Sequence, residues 1–363
     1  MNESAPTVVS AETSLKEENL VFYNPRKAPF RIYGLYAPEN GEAFRRIPAD
    51  VAQATSAGVA SHAVHTAGGR VRFSTDSPYV AVKAVMPSIT HFAHMPLTGT
   101  SGFDLYADGE DGSRYCGTFQ PNVNMTDGYE SILRFKNRKM RNITINFPSY
   151  NPLTEIYIGL SADAQVGEGA KYLSELPVIY YGSSITQGAC ASRPGLSYEN
   201  FITRKYNLDY INLGFSGNGK AELPIVNYMA KLPMLAFVSD YDHNAPSVAY
   251  LRDTHRRMYE IIREANPDVP YLMVSRPDFL LNRDAAIERR DIILDTFRFA
   301  RENGDRNVYF IDGEGLYHGP YEDACSVDNT HPNDIGMMFM GEKIGRMLER
   351  ALRGKHLFAA DGQ

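Results

Sequence analysis

The sequence lacks the cysteine content of a disulfide-stabilised or zinc-binding protein. Only three cysteines, Cys116, Cys190 and Cys325, occur in 363 residues, and no two of them form a Cys-x-x-Cys pair. This spacing argues against both a zinc knuckle and a disulfide scaffold. We therefore expect three free thiols and no metal centre.

Long apolar runs and blocks of like charge are also missing. No segment approaches the roughly 18 consecutive apolar residues of a membrane helix, and Met1–Leu20 carries acids instead of the apolar core of a signal peptide. Lys and Arg number 37 against 43 Asp and Glu, a formal net charge of -6, without a basic block for nucleic acid or anionic lipid. We expect a cytoplasmic protein with neither partner, although a leader removed upstream would leave no trace here. The oligomeric state stays open.

The length predicts two domains, because a single core rarely grows beyond roughly 250–300 residues. Up to about residue 160, short segments such as 79–85 and 141–147 alternate apolar and polar residues, and turn formers such as Asp127-Gly128 separate them. This pattern predicts an all-β sandwich of jelly-roll type over residues 1–165.

A different pattern begins near residue 173, after a linker within 161–176. Buried strand-like runs at 177–183, 209–214, 234–240, 270–275 and 307–312 alternate with segments of helical period, the last of which begins near Asn333. Such alternation predicts a parallel sheet covered on both faces. We expect a three-layer α/β/α domain of flavodoxin-like type over 173–355.

Four groups of candidate residues follow predicted strands, where ligands of open α/β sheets bind. Ser184 follows the first strand within Gly182-Ser183-Ser184, and its hydroxyl could act as a nucleophile or could merely cap the next helix. Asp328 and His331 precede the last helix, and their spacing lets a carboxylate orient an imidazole. A helix-capping cluster around Asn333 or Asp334 is the alternative.

Two further loops could stabilise an oxyanion. The segment 212–219 holds three glycines, including Gly217, which would let backbone N–H groups approach a ligand closely, although turns also collect glycine. After the third strand, the amide of Asn244 could donate a hydrogen bond, or could instead form an Asx turn. Asp240 and Asp242 compete with Asp328 as the acidic partner of His331, but Asp328 has the better spacing.

These blocks resemble those of the SGNH (GDSL-type) hydrolases, in family order. The run 182–188 resembles the first block, Gly217 the second-block glycine, Asn244 the third-block asparagine, and Asp328-x-x-His331 the fifth block. Gly102-Phe103-Asp104-Leu105-Tyr106 resembles the Gly-x-Asp-Leu-Tyr signature of the β-sandwich domains that precede such hydrolases, in a layout similar to carbohydrate acetylesterases. Two departures stand out: Ser183 replaces the usual Asp, and the third block reads Tyr241-Asp242-His243-Asn244-Ala245.

The resemblance implies a serine esterase that needs no cofactor and removes O-acetyl groups from an oligosaccharide. Ser184 would be the nucleophile, His331 the base and Asp328 its orienting acid; the N–H groups of Ser184 and Gly217, with the Asn244 side chain, would form the oxyanion hole. A lipase, lysophospholipase or thioesterase for longer acyl chains is one alternative. A carbohydrate-binding protein with an inactive hydrolase domain is another.

Three histidines are candidate substrate contacts. His243 adjoins Asn244, and His91 and His94 lie in the predicted β-sandwich. The latter two lack a third metal-ligand motif, so a surface loop position is the simpler interpretation for them.

Overall fold

A computed structural model of the chain describes residues 6–109 and 112–353. Within these residues the chain forms two compact units. The first unit contains the residues up to Arg46, Val64–Lys171 and Ser192–Gly195, and the second contains Ile47–Ala63, Tyr172–Ala191 and the residues from Leu196 onward. The continuous ranges expected from the sequence, 1–165 and 173–355, place residues 47–63 in the first domain and 192–195 in the second, whereas the structure groups each of these segments with the other unit.

Two antiparallel sheets make up the first unit. Its strands are β1 Val8–Val9, β2 Leu20–Tyr23, β3 Arg31–Tyr33, β4 Arg70–Thr75, β5 Tyr79–Val85, β6 Phe103–Gly109, β7 Gly112–Phe119, β8 Gly128–Arg134, β9 Arg141–Asn146, β10 Glu155–Ser161 and β11 Val166–Gly167. The strand orders are β1-β2-β10-β5-β8 and β11-β4-β9-β6-β7, with β3 on β4. Alternate residues such as Val80 and Val82 of one sheet and Val71 and Phe73 of the other share one core, as the period-two pattern predicts.

Nine α-helices occur in the described ranges. They are α1 Ala49–Thr55, α2 Ala57–Ala63, α3 Leu97–Thr100, α4 Ser184–Gln187, α5 Tyr198–Tyr206, α6 Leu223–Ala230, α7 Val248–Ala265, α8 Arg283–Glu302 and α9 Asp334–Leu352. Short 3₁₀ segments lie at Pro38–Asn40, Pro194–Leu196, Asp242–Asn244, Gly313–Gly315 and Glu322–Ala324. In the part of the chain that the structure describes, none of the helices combines the length and apolarity needed to cross a bilayer.

A five-stranded parallel sheet forms the centre of the second unit. The strands are β12 Val178–Gly182, β13 Tyr210–Gly214, β14 Ala236–Asp240, β15 Tyr271–Val274 and β16 Val308–Ile311. They are ordered β13-β12-β14-β15-β16 and every pair is parallel. This order is that of flavodoxin-like sheets. Each strand lies inside the range predicted for it, so the mixed α/β fold expected from the sequence is confirmed.

Helices cover both faces of this sheet. One core cluster joins it to residues of α6, α7 and α8, such as Met229 and Met258. A second cluster joins the opposite face to α5 and α9 through residues such as Ile202 and Met340. Burial on both faces explains why the strands are continuous apolar runs without alternation.

Helices α1 and α2 differ from the expectation of an all-β first half. Ala52, Val59 and Ala63 are buried in the same core cluster as Ile225 of α6. Val59 and Ala63, four residues apart, lie on one face of α2, and Ala52 lies on α1. The interpretation of the first half as alternating apolar and polar residues overlooked this helical spacing. Because these residues are buried in the core cluster of the second unit, the segment packs with that unit.

An ion pair explains why Ser192–Gly195 belongs to the first unit. The buried carboxylate of Asp104, from the Gly-x-Asp-Leu-Tyr sequence, accepts hydrogen bonds from Arg193 Nη1 at 2.7 Å and from the Gly195 N–H at 2.9 Å. Arg193 Nη1 also donates to the hydroxyl of Tyr106 at 2.6 Å. Its guanidinium carbon lies 3.8 Å from the ring centroid of Tyr115.

Candidate active site

The candidate nucleophile stands at the carboxyl end of β12, the first strand in chain order of the parallel sheet of the second unit. Strand β12 ends at Gly182, and α4 begins at Ser184. The side chain of Ser183 caps this helix by accepting a hydrogen bond from the Ile185 N–H at 3.1 Å. The capping role that was one interpretation of Ser184 thus belongs to Ser183. Ser184 keeps its hydroxyl available for another partner.

That partner is the imidazole of His331. Ser184 Oγ and His331 Nε2 lie 2.8 Å apart. On the other side of the ring, His331 Nδ1 lies 2.8 Å from Asp328 Oδ2. The three side chains therefore form a continuous hydrogen-bonded series within the second unit.

Asp328 determines the tautomer of the histidine. An ionised carboxylate can only accept hydrogen bonds, so Nδ1 of His331 carries the proton and Nε2 accepts the hydrogen of Ser184. Partial burial alone would raise the pKa of Asp328. Hydrogen bonds from the backbone and ring of His331 and from the Thr330 N–H outweigh burial and hold this pKa below its ordinary value. The carboxylate is therefore ionised at neutral pH.

The competing carboxylates are engaged elsewhere. Asp240 is fully buried, and its Oδ2 accepts a hydrogen bond from the Thr186 hydroxyl at 3.4 Å. Asp242 Oδ2 accepts one from the Arg276 N–H at 3.2 Å. Burial raises the pKa of both acids, that of Asp242 to about 6. Of the three candidates, only Asp328 is hydrogen-bonded to His331.

The capping alternative for the Asp328–His331 segment is also settled by geometry. The side chain of Asn333 caps α9 by accepting hydrogen bonds from the N–H groups of Ile335 and Gly336 at 3.0 and 3.3 Å. His331 makes its side-chain contacts with Ser184 and Asp328 instead.

The Ser184 N–H and the Gly217 N–H are the two backbone groups that the sequence predicts as oxyanion donors. Gly217 adopts a left-handed conformation with φ of 68°, which favours glycine, in the loop after β13. Among the residues that the structure describes, neither the Ser184 N–H nor the Gly217 N–H donates a hydrogen bond. Both donors are therefore available to a ligand.

Asn244 ends the 3₁₀ turn after β14. Its Nδ2 donates one hydrogen bond to the Phe215 carbonyl at 3.0 Å, which joins this turn to the loop of Gly217. An amide nitrogen carries two hydrogens, so the second can serve a ligand. An isolated Asx turn, the simpler interpretation of Asn244, does not describe this contact to another loop.

A second histidine–aspartate contact lies beside Asn244. His243 Nε2 is 3.4 Å from Asp278 Oδ1, and Arg276 holds Asp278 with two hydrogen bonds. Burial lowers the pKa of His243 to about 3, so its imidazole is neutral at pH 7 and the contact is not an ion pair. Sequence analysis missed Arg276 and Asp278, although both directly follow β15 at the edge of the sheet where candidates were sought.

His91 and His94 lie in the first unit, in the loop between β5 and α3. The rings of His94 and Phe92 are in edge-to-face contact, with centroids 6.3 Å apart. A substrate-binding role for the two histidines stays a prediction.

Family profiles match both halves of the chain. The profile described as the GDSL-like lipase/acylhydrolase family matches residues 175–349, and GxDLY, described as the N-terminus of Esterase_SGNH_hydro-type, matches residues 20–166. The chain belongs to the SGNH (GDSL-type) hydrolases. This SGNH hydrolase is accordingly a carboxylic ester hydrolase, in agreement with the expectation from its sequence blocks.

Solved structures of similar fold support this assignment. A putative GDSL-like lipase from Bacteroides ovatus is 26% identical with a TM-score of 0.82, over 92% of this chain and 98% of that one. A salicylyl-acyltransferase, SsfX3, from a tetracycline biosynthetic pathway is 20% identical with a TM-score of 0.74, over 93% and 99%. A family two carbohydrate esterase from Clostridium thermocellum is 14% identical with a TM-score of 0.60, over 79% and 93%. The last two show similarity of fold alone. A search of curated proteins found no significant match for this SGNH hydrolase.

Proposed function

We propose that this SGNH hydrolase is a serine esterase that removes O-acetyl groups from carbohydrates through Ser184, His331 and Asp328. The observation that carries the proposal is the series of two 2.8 Å contacts from Ser184 Oγ through the imidazole to Asp328 Oδ2. A serine hydroxyl is a weak nucleophile unless an adjacent base removes its proton, and His331 Nε2, which accepts the hydrogen of Ser184, is that base.

The proposed reaction has two halves. Ser184 Oγ attacks the ester carbonyl while its proton passes to His331 Nε2, and the tetrahedral intermediate collapses when the same proton is given to the leaving alcohol. Water then attacks the acyl-enzyme with His331 as base, which releases acetate and restores the serine hydroxyl. Asp328 stabilises the imidazolium in both halves, and no cofactor takes part.

The oxyanion would be bound by three donors. These are the N–H groups of Ser184 and Gly217, which have no acceptor among the described residues, and the second amide hydrogen of Asn244. Donors held in place before the reaction stabilise the developing negative charge without reorganisation.

The carbohydrate part of the proposal rests on the layout of the chain. The antiparallel sheets of the first unit, which we assign to the jelly-roll type, precede the hydrolase unit as they do in the carbohydrate acetylesterases that the chain resembles. One structure of similar fold is a carbohydrate esterase in complex with cellohexaose. We also propose His243, His91 and His94 as substrate contacts, to be tested by oligosaccharide kinetics of alanine variants.

A second candidate is an esterase for longer acyl chains. The loop after β15 exposes Leu280 and Leu281, which are 56% and 65% accessible, two and three residues beyond Asp278. Exposed leucines near a reactive edge could contact an acyl chain, as a lipase requires.

The decisive experiment is mass-spectrometric analysis of a panel of acetylated oligosaccharides treated with wild type or Ser184→Ala. We expect loss of acetyl mass with the wild type alone. A p-nitrophenyl ester series from acetate to octanoate provides the second arm. Rates that rise with chain length would favour the lipase, and glycan binding without Ser184-dependent turnover would show an inactive hydrolase.

A further inference from the structure

The turn that carries Asn244 is short and must be placed accurately. It spans Asp242–Asn244, and the Asn244 N–H donates to the Tyr241 carbonyl at 3.0 Å. A donor to an oxyanion acts only within about 2.7–3.1 Å of the oxygen. Whatever holds the two ends of this turn therefore controls the proposed third donor.

One guanidinium from another element holds both ends. Arg289 Nη1 donates to the Asp242 carbonyl, and Arg289 Nη2 donates to the Ala245 carbonyl at 3.0 Å. These two carbonyls flank His243 and Asn244 in the chain. The planar fork of arginine presents its two N–H groups at a constant separation, so it sets the distance between the carbonyls as well as their position.

The helix that carries Arg289 is a rigid support. Ala286, Ile292 and Ile293 of α8 are buried, and the last two belong to the core cluster on one face of the sheet. Because packed helices move little relative to their sheet, the guanidinium holds the turn at a constant position relative to the core.

We infer that Arg289 is a positioning residue that holds the oxyanion donor Asn244 in place. This inference rests on the proposed function, because it gives Asn244 its role. Asn244 also contacts Phe215 O through its side chain, and Asp242 also contacts the Arg276 N–H. These contacts persist without Arg289, so its loss should shift the turn and leave it folded.

The test compares Arg289→Met with Arg290→Met. Arg290 lies on the same helix and pairs with Glu314 at 2.9 Å, without a contact to the turn, so it controls for the lost charge. With p-nitrophenyl acetate, we expect Arg289→Met to lower kcat about 10- to 100-fold with KM within about twofold, since small displacements of a catalytic group cost rates of this order. Arg290→Met should stay within about twofold of wild type. Arg289→Lys, which keeps the charge and can reach one carbonyl, should be intermediate.

Two further readouts separate positioning from a general structural effect. Adding Arg289→Met to Asn244→Ala should change kcat by less than about threefold, because both changes remove the same interaction. The side-chain amide signal of Asn244 in ¹⁵N NMR, assigned by its loss in Asn244→Ala, should move in Arg289→Met and not in Arg290→Met.

Multiplicative kcat losses in the double variant, or an unmoved Asn244 signal, would overturn the inference. The side-chain amide signal of Asn244 tests the inference even if the wild-type protein does not hydrolyse esters. In that case the proposed function fails by itself, and movement of the signal still tests whether Arg289 places the Asn244 amide.

Discussion

Ser184 Oγ and His331 Nε2 lie 2.8 Å apart although 147 positions separate them in the chain. The serine follows β12 at the carboxyl end of the parallel sheet, and the segment before α9 places the histidine at the same edge. The contact exists only in the folded second unit, and it provides the basis for the first prediction.

Replacing Asp328 by asparagine should lower kcat by up to about 10⁴-fold. The amide can still accept from the N–H groups of Thr330 and His331, but an NH₂ group facing His331 Nδ1 favours the tautomer with a proton on Nε2. That tautomer cannot accept the serine proton. Steady-state kinetics between pH 5 and 9 measure the effect, with the thermal midpoint as a folding control. A kcat within threefold of wild type would exclude Asp328 as the orienting acid.

Asn244→Ala should reduce kcat by a hundred- to a thousandfold, equivalent to about 3–4 kcal/mol of transition-state stabilisation. The change removes the proposed third oxyanion donor and the hydrogen bond to Phe215, while most of the turn persists. Burst and steady-state kinetics with p-nitrophenyl acetate provide the measurement, and urea unfolding shows whether the fold is retained. Equal rates for variant and wild type would remove Asn244 from the site.

Gly58→Ala should destabilise the protein and slow turnover several-fold. A Cβ at Gly58 of α2 would overlap the side-chain oxygen of Asn218, whose Nδ2 donates to the Ser216 carbonyl next to Gly217. Alanine in an open helical position would instead stabilise by up to about 1 kcal/mol. The sign of the change in unfolding free energy, measured in urea, therefore distinguishes close packing of α2 on this loop from an open surface.

The wild-type protein should lose stability as the pH rises, and Glu199→Gln should abolish this loss. Glu199 is fully buried, its Oε1 accepts a hydrogen bond from Asn212 Nδ2 at 3.2 Å, and burial raises its pKa to about 8 from an ordinary 4.5. Between these two values the folded state keeps a proton that the unfolded state has lost, so stability falls as pH rises through this window. Urea unfolding at pH 5, 7 and 9 should give a flatter curve for the variant. Parallel curves would show that Glu199 does not retain its proton.

The wild-type protein should lose stability as the pH falls, and His255→Asn should remove this loss. His255 is fully buried, its Nδ1 contacts Thr296 Oγ1 at 2.9 Å, and burial lowers its pKa to about 3 from 6.5. Between these values the unfolded state takes up a proton that the folded state does not, so stability falls as pH falls. Asparagine can keep the contact and binds no proton. The variant should be less stable at pH 7 because of the lost ring, but its free energy of unfolding should depend less on pH from 6.5 to 4 than that of wild type.

Local patterns predicted the central fold because they report which faces are buried. Each of the five observed parallel strands lies within its predicted range, since strands covered on both faces need continuous apolar residues. The helices of residues 49–63 were missed because the stretch with helical spacing is short and lies between segments that alternate apolar and polar residues. Their burial depends on α6, whose residues lie more than 150 positions later in the chain.

The sequence by itself determined the candidate residues and their order: a serine after the first strand, donors after the next two, and an Asp–His pair before the last helix. Only the tertiary structure decided that Ser183 caps α4 while Ser184 contacts the histidine. It also decided which of three carboxylates contacts that histidine and which arginine holds the Asn244 turn. The physical reason is that the periodicity of apolar residues is a local property of the chain. Hydrogen bonds between distant loops depend on ångström-scale distances that exist only after the sheet and its helices have packed.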